Sequence, residues 1–361
     1  MPNLNYAEKW ERELLDTLIQ ETLTSPFITT NVTFLDARTF HFTQMSTSGY
    51  KPHSRSGGWN TGTYTQTDVP FTLTHDRDIE FLVDKANVDE TNATASIQNI
   101  SQVFEKTQAS PETDALFFSK VAQTAQNTDG YSTATAANTY TKANVFGKLK
   151  TYLSSGKLRR YVGRGSLIMY VSSLVMDLLE QSTDFNRKIE MTQIADGGLG
   201  IETRVTDIDG VTVMEVIDDE RFYDRFDFDP KDGGFAPAVA VYALTADTDI
   251  VSGKTYYTRS GSEGAYTYTA VASPAKASLG SYYEKTAAGS RRINVLIAST
   301  ETTKIVPKIS SIYYFAPGAH TKGDGWLYQN RALSDVFTFP NGKDGKVDSV
   351  FVDYDPTEYE V

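Results

Sequence analysis

Apolar and charged residues alternate along residues 76–84, and this period of two predicts a β-strand with one buried face. Ile79, Phe81 and Val83 fall on one side of the strand, and charged residues occupy most of the other side. We therefore expect the apolar side to lie in the protein interior and the charged side to face solvent.

A helix is expected to follow this strand, because apolar residues then recur every three or four positions and form one stripe. The members of the stripe are Ala93, Ile97, Ile100 and Phe104. Asp89 is placed to cap the helix, and Glu90 lies in its first turn, where the helix dipole favours an acid. A helix over residues 90–106 would be a rod roughly 25 Å long.

Ser110 and Pro111 predict that the chain then starts a second helix, with Ser110 as its cap and Pro111 at its first helical position. Glu112 and Asp114 would lie in the first turn of that helix. The strand and the two helices of residues 76–125 together indicate a structural support that carries no catalytic group.

A long extended loop is predicted between strands at 39–42 and 69–74, because the residues between them are mostly Ser, Thr and Gly. Such a length is unusual inside a compact domain unless the loop is disordered or has a binding partner. Tyr50, Trp59 and Tyr64 are aromatic residues of the kind that anchor interfaces. We therefore predict a protruding two-stranded loop that docks on another molecule.

The N-terminal residues show a helical pattern, with charged residues mostly on one face and apolar residues on the other. The apolar members are Leu14, Leu15, Leu18, Ile19 and Leu23. Pro26 ends the pattern, and extended chain is expected after it. Two interpretations remain open: a surface helix of the same chain, or an arm whose apolar face packs on a neighbouring subunit.

A stretch rich in Ser, Thr, Ala and Gly at residues 126–142 predicts a domain boundary. After it we expect a helix at 145–153, a buried strand at 166–171 and a further helix. Asp209-Gly210 lies between two predicted strands and is a strong hairpin signal. These elements indicate a second domain of the α+β or α/β class.

Residues 241–288 differ in composition, because Tyr, Thr, Gly and Ser dominate there. Short strands separated by turns predict a small all-β module. The flanking segments 235–241 and 292–298 are predicted to be core strands of the host domain. The module is therefore expected to be inserted into that domain.

The composition excludes several classes of function. The formal net charge of −12 and the pI near 4.9 argue against a nucleic-acid-binding surface as the main function, because phosphate contacts need clustered Lys and Arg. Cysteine is absent, which excludes disulfides, thiol catalysis and cysteine-based metal sites. No signal peptide and no membrane-spanning run is predicted.

No pattern of residues predicts a catalytic, cofactor-binding or metal site. The four histidines are scattered without ligand spacing. Residues 227–233 resemble a calcium loop, but the spacing is wrong at the third ligand and Pro230 interrupts it. A basic cluster at 148–164 could contact phosphate, although a solvated helix face or a subunit contact suits it better. The acids of 216–232 alternate with arginines and predict an ion-pairing surface.

Several short motifs follow one another in a specific order. They are Asp76-Arg77, Phe81, Asp84, Asp89-Glu90-Thr91, Phe104, Pro111-Glu112-Thr113-Asp114-Ala115 and Phe118-Ser119. A second set is Asp209-Gly210-Val211, Glu215-Val216-Ile217 and Arg221. This order resembles tailed-phage major capsid proteins with the Hong Kong 97-type fold, in particular those of phages of Gram-positive bacteria. Ile217 departs from the proline that the family often has near this position.

The resemblance implies an α+β Hong Kong 97-type capsid fold with a small all-β inserted module. The implied parts are an N-terminal arm (1–36), an extended loop (37–75), a peripheral domain with the spine helix (76–126 and 336–361), an axial domain (127–240 and 289–335) and the inserted module (241–288). The module is expected on the outer surface of a shell.

The resemblance also implies a function. The chain would assemble with itself into hexamers and pentamers of an icosahedral shell, in the host bacterial cytoplasm, around the double-stranded DNA genome. Because the arm begins close to Met1, a separate scaffold protein, or none, is expected, together with a portal. The packaged DNA would be enclosed without sequence-specific binding, and neither a membrane nor a cofactor is expected.

Two sets of residues are candidates for contacts. The subunit-contact candidates are Tyr50, Arg55, Trp59, Tyr64, Asp76, Arg77, Asp84, Asp89, Glu90 and Arg221. The surface candidates of the module are Tyr256, Tyr257, Tyr266 and Tyr268. Two alternative functions remain: an encapsulin-like nanocompartment shell, and a secreted β-rich carbohydrate-binding protein suggested by the module.

Overall fold

A computed structural model describes residues 22–29, 38–53, 57, 59–85, 97–182, 190–192, 203–231, 233–247, 250–262, 265–272, 274, 282–341 and 345–359. The N-terminal helical pattern other than Leu23, and Arg55, Asp89, Glu90 and Ala93, lie outside these residues.

The helices, in chain order, are α1 (Ile97–Phe104), α2 (Ser110–Gln126), α3 (Val145–Leu153), α4 (Arg159–Val162) and α5 (Ser173–Glu180). The strands are β1 (Thr39–Thr47), β2 (Tyr64–Thr72), β3 (His75–Asp84), β4 (Ser132–Ala134), β5 (Leu167–Ser172), β6 (Glu190–Thr192), β7 (Thr203–Ile208), β8 (Val211–Val216), β9 (Phe226–Asp227), β10 (Ala236–Pro237), β11 (Val241–Leu244), β12 (Tyr257–Ser262), β13 (Ala265–Ala270), β14 (Tyr283–Ala287), β15 (Arg291–Ser299), β16 (Thr303–Phe315), β17 (Gly325–Thr338) and β18 (Val350–Glu358).

The largest sheet of the described residues has the strand order β4-β18-β15-β5-β8-β7-β6. Its central strands β5 and β15 are apolar on both faces, as expected for strands covered on two sides. Met169 and Val171 lie in the core formed with α3 and α5, whereas Tyr170 lies in the core formed with α2. The sheet therefore lies between α2 on one face and α3 and α5 on the other.

The strand predicted at residues 76–84, which we call the spine strand, is present as β3, and its alternation of apolar and charged residues is confirmed. Ile79 and Phe81 are half-buried and Val83 is buried, whereas Asp78 and Glu80 are exposed. β3 pairs with β17, and β17 pairs with β16, so these strands form a three-stranded antiparallel sheet. The Phe81 ring contacts Phe104 of α1 at 5.6 Å between centroids, so the helix covers the apolar side of the strand.

The predicted second α-helix does begin at Ser110, with Pro111 and Glu112 in its first turn, but Ser110 does not cap it and no break precedes it. Residues 97–126 form one continuous helical run, in which a π-helical turn (Glu105–Ala109) joins α1 to α2. Ser110 has helical backbone angles and donates its N–H to the carbonyl of Glu105, one residue farther back than in an α-helix. The wider turn accommodates Pro111, which has no N–H to donate.

The strand pairing also differs from the expected division of the C-terminal part. The resemblance puts most of residues 303–338 in the axial domain, but β17 pairs with the spine strand and β16 pairs with β17. Residues 336–361 were assigned to the peripheral domain, but β18 pairs with β15 and β4 of the large sheet. Each strand has a suitable apolar pattern for either sheet, so local pattern does not determine its partner.

β1 and β2 form a two-stranded ribbon whose base is fixed to the three-stranded sheet. Phe40 of β1 and Phe71 of β2 pack together at 5.5 Å between ring centroids. Phe337 meets both rings edge-on, at 5.1 and 5.3 Å. Beyond this aromatic contact, most described residues of both strands are exposed, so the outer ribbon protrudes from the body of the chain.

The module predicted at 241–288 contains a separate four-stranded sheet of order β11-β14-β12-β13. Its second flank is β15, a buried central strand as expected. The first flank, 235–241, is not a core strand: Ala236–Pro237 pairs with β9, and Val241 belongs to β11 of the module. Val241 and Ala287 are paired, so the chain enters and leaves the module side by side.

Candidate assembly surfaces

The tip of the ribbon presents large aromatic side chains to solvent. Tyr50 and Trp59 have relative exposures of 110% and 96%, and Tyr64 one of 76%. The two strands stay joined just beyond their paired residues, because Ser48 donates its N–H to the carbonyl of Thr63 at 2.8 Å. An ordered ribbon that holds exposed aromatic rings away from its own body is suited to docking on another surface.

A second exposed apolar surface lies at the free end of the three-stranded sheet. Leu82 and Tyr313 are 48% and 55% exposed on one face of the sheet. Ile312, Tyr314 and Trp326 are 48%, 55% and 38% exposed on the other face. This end of the sheet is therefore apolar on both sides, whereas a sheet edge in a monomeric protein is normally protected by charge.

Sequence reasoning did not select this second surface. The signal was the run Ile312-Tyr313-Tyr314-Phe315, which is apolar at every position. Because successive side chains of a strand point to opposite faces, such a run must be buried on both faces or leave one of them exposed. Here the strand lies at the edge of its sheet, and three residues of the run are exposed.

Asp76 and Arg77 hold elements of this chain together. Asp76 forms ion pairs with Arg38 at 2.8 Å and with Arg331 at 2.9 Å, so it joins the base of the ribbon to the three-stranded sheet. The hydrogen bond from Arg331 holds the pKa of the Asp76 carboxyl below its usual value. Arg77 donates from Nε to Glu112 of α2 at 2.8 Å.

Arg77 also donates to two carbonyl oxygens of the segment that follows β8, those of Phe228 and Gly234. It therefore links the spine strand, α2 and that segment. Asp84, by contrast, is an exposed residue at the end of β3. As subunit contacts, Asp76, Arg77 and Asp84 remain predictions.

Arg221 is not a surface residue, so its expected role in a subunit contact is wrong. Its side chain is only 1% exposed and donates from Nη1 to Asp114 Oδ2 at 2.9 Å. A second carboxylate, that of Asp218, binds its Nη2. The two short motifs that contain Asp114 and Arg221 therefore meet inside one chain, and Arg221 serves the internal fold.

The tyrosines of the module mostly pack against one another. Tyr242 on one edge strand stacks on Tyr268 of the other edge strand, with ring centroids at 4.0 Å and an angle of 7°. Rings of opposite edges can meet only if the sheet curls, and the stacked pair also contacts the rings of Tyr257 and Tyr283 on the two central strands. These rings are the module's own apolar core.

The surface role expected for Tyr256 is wrong, because its side chain is fully buried. Its hydroxyl donates to Asp247 Oδ2 at 2.7 Å and accepts from the N–H of Val251 at 3.1 Å. Tyr257 and Tyr268 are half-buried, and Tyr266 is 40% exposed. The guanidinium of Arg259 lies 4.2 Å from the centre of the Tyr266 ring, in a cation–π contact that occupies one face of the ring.

The two charged clusters of the sequence form ion pairs within the chain. Cations of the basic cluster at 148–164 pair with acids of neighbouring turns: Lys150 and Arg159 with Asp209, Arg160 with Asp348, and Arg164 with Glu301. In the acidic stretch at 216–232, Arg225 pairs with Asp224 and Arg292 pairs with Asp219. Both clusters are therefore ion-pairing surfaces.

The described residues contain no group of three or more His, Asp or Glu side chains arranged to hold a metal ion. In the same part of the chain, no helix combines the length and the apolar character needed to cross a membrane.

No protein-family model and no curated protein matches this chain. Solved structures do match it. The asymmetric unit of the bacteriophage PhiM1 mature capsid matches with a TM-score of 0.55 and 10% identity, over 98% of this chain and 93% of that chain. The capsid structure of the cyanophage P-SCSP1u matches with a TM-score of 0.53 and 8% identity, over 98% and 94% of the two chains.

This chain has the fold of phage capsid proteins. The α+β Hong Kong 97-type fold expected from the sequence is confirmed. A structure from Mycobacterium phage Che8 matches with a TM-score of 0.50 and 10% identity, over 97% of each chain. Because the matches extend over nearly the whole of both chains, the shared fold includes more than one of the sheets described above.

Proposed function

We propose that this chain is the major capsid protein of a tailed bacteriophage, and that copies of it assemble into an icosahedral shell around a double-stranded DNA genome. The observation that carries the proposal is the match, over 98% of the chain, to the mature capsid of PhiM1. The role is structural: the chain forms the hexamers and pentamers of the shell, and its exposed apolar surfaces make the contacts between subunits.

The ribbon is suited to reach a neighbouring subunit. Each of its strands has nine residues, which at ~3.4 Å per residue gives a length of about 30 Å. This length is comparable with the width of a small domain. Docking the tip on a neighbour would remove the rings of Tyr50 and Trp59 from water, and large buried aromatic residues dominate the energetics of interfaces.

The free end of the three-stranded sheet is suited to contact further neighbours. Each of its two faces carries exposed apolar residues, although α1 packs on part of the face that bears Phe81 and Tyr314. One bound copy could cover only one of these faces. A closed shell, in which every subunit is surrounded by others, would cover both faces and the ribbon tip at the same time.

The charge of the chain is expected to affect assembly. Each subunit carries a formal net charge of −12, so subunits repel one another at low ionic strength and salt weakens this repulsion. The same charge suits a wall that encloses DNA without binding it tightly. Assembly in the host cytoplasm, a separate scaffold protein and a portal complete the proposal.

Sedimentation velocity and negative-stain electron microscopy of the expressed full-length chain test this function. We expect closed particles that form more readily as salt increases. Monomers and dimers alone, over all protein and salt concentrations and with co-expressed candidate scaffold proteins, would contradict it. The contents of particles from the natural source separate the alternatives: DNA favours a phage head, and a protein cargo favours a nanocompartment.

A further inference from the structure

A buried carboxylate of α2 holds the N-terminal segment of this chain; α2 is the second part of the continuous helical run 97–126, which we call the spine helix. Asp114 Oδ2 accepts the backbone N–H of Leu23 at 3.1 Å, and its Oδ1 accepts the N–H of Thr24 at 3.3 Å. The Thr24 hydroxyl donates to the same Oδ1 at 2.6 Å. Asp114 thus binds three donors of a segment about ninety residues away in the sequence.

Two further side chains complete this site, which we call the N-terminal clasp: Asp114, Arg221 and Tyr170. Arg221 donates from Nη1 to Asp114 Oδ2, the oxygen that also accepts from Leu23, at 2.9 Å. The Tyr170 hydroxyl donates to the carbonyl of Leu23 at 2.8 Å. Both backbone polar groups of Leu23 are therefore bound by side chains of the clasp.

The clasp lies within an apolar cluster. Leu23 and Phe27 are buried there, and the Phe27 ring lies 4.5 Å from that of Phe117 on α2. Asp114 and Thr24 are completely buried. Burial raises the pKa of the Asp114 carboxyl, which shows that the surroundings disfavour its charge, although Arg221 opposes the effect.

A buried ion pair in an apolar core is poor evidence for stability, because desolvating both charges costs about as much as their attraction returns. Its best-attested use is to fix register, since only one alignment satisfies all of its hydrogen bonds. Here the sequence of the segment itself favours that alignment. A slip by two residues would place Pro26, which has no N–H, where Thr24 now donates to Asp114.

We infer that Asp114 is a positioning residue that sets the register of the N-terminal segment 22–29 on the spine helix. It thereby fixes the point at which the preceding residues leave the body of the chain. The consequence for assembly, a defined starting point for an arm that meets neighbouring subunits, rests on the function proposed above. The contact itself lies within one chain and does not depend on that function.

Hydrogen–deuterium exchange of the unassembled full-length chain tests this inference. The Asp114→Asn variant keeps the shape of the side chain but replaces one carboxylate oxygen by an NH2 group. That group cannot accept hydrogen bonds from Leu23, Thr24 or Arg221. Because hydrogen bonds to a charged group are strong, we expect exchange in residues 22–29 to accelerate about tenfold or more. The helix at 145–153, on the opposite face of the large sheet, serves as an internal reference and should change less than about twofold.

Two further variants make the test specific. Asp218→Asn removes the other carboxylate bound to Arg221 and should leave residues 22–29 as protected as in the wild type. Thr24→Val removes one donor to Asp114 and should accelerate exchange in the segment by a smaller factor, about three- to fivefold. If Asp114→Asn does not fold, the exchange rate of residues 22–29 in Thr24→Val is sufficient to test the inference.

The inference is overturned if Asp114→Asn leaves residues 22–29 protected. It is also overturned if that variant accelerates the segment and the reference helix equally, because Asp114 would then serve only general stability. In the Thr24→Val test, unchanged protection overturns it. None of these outcomes depends on shell formation, so a chain that never assembles would contradict the proposed function and leave the clasp intact.

Discussion

Replacing Trp59 by alanine tests whether the ribbon tip is an assembly surface. The side chain is 96% exposed, so docking could bury almost all of it, roughly 200 Å² for a tryptophan. At ~25 cal/mol per Å² this corresponds to an upper limit of about 5 kcal/mol, and truncating a hot-spot residue, a class enriched in tryptophan, costs about 2 kcal/mol or more. A loss of about 2 kcal/mol weakens each contact roughly thirtyfold.

The assay is the protein concentration at which light scattering shows particle formation at a fixed salt concentration. We expect Trp59→Ala to raise that concentration severalfold or more, while its melting temperature stays within about 1 °C of the wild type because the ring is exposed before assembly. Tyr266→Ala, an aromatic truncation on the module, is the matched control and should assemble normally. Unchanged assembly of Trp59→Ala would refute the role given to the ribbon.

Three predictions concern the folded chain. Gly325→Ala should lower the free energy of unfolding by about 1–3 kcal/mol, because the new Cβ would lie 2.4 Å from the carbonyl oxygen of Val83. Gly147→Ala lies in a helix where the added Cβ meets no other atom, so it should raise the free energy of unfolding by about 0.5–1 kcal/mol. Urea titrations measure both changes. Burial raises the pKa of Asp353, so its carboxyl group binds a proton more tightly in the folded state than in the unfolded state. The stability of the wild type relative to Asp353→Asn should therefore rise as the pH falls from about 7 to about 4. A difference in stability that does not change with pH would contradict this. Replacing residues 242–286 by a short glycine-containing turn should preserve the thermal unfolding of the host, because the strand residues at either end are already paired; loss of cooperative unfolding would show that the module is integral.

The parts that the sequence predicts well depend on local patterns. The alternation at Ile79, Phe81 and Val83 depends only on the period of a strand. The hairpin at Asp209-Gly210 is equally local: both residues have positive φ, 55° and 80°, which is the backbone shape that this pair of residues adopts readily.

The parts that the sequence did not predict depend on contacts between distant residues. The C-terminal strands have apolar patterns that fit either sheet, and only tertiary pairing assigns β18 to the large sheet. Asp114 and Arg221 are separated by 107 positions, so no local sequence pattern predicts that these two residues form an ion pair. The tyrosines of the module were expected at the surface because composition alone does not reveal that its sheet curls around them.

The helix restart at Ser110 shows a different limit. Ser followed by Pro and two acids is a common start of a helix, yet here the preceding residues continue through a π-helical turn. The local signal was correct for a first turn, but packing of α1 on β3 keeps the chain helical before it.

Electron cryo-microscopy of particles assembled from the purified full-length chain tests the central claim most directly. We expect closed icosahedral shells in which the ribbon tip, with Tyr50 and Trp59, is buried against a neighbouring subunit, and in which both faces of the free sheet end are covered. Particles without icosahedral symmetry, or shells in which these side chains remain in solvent, would contradict it.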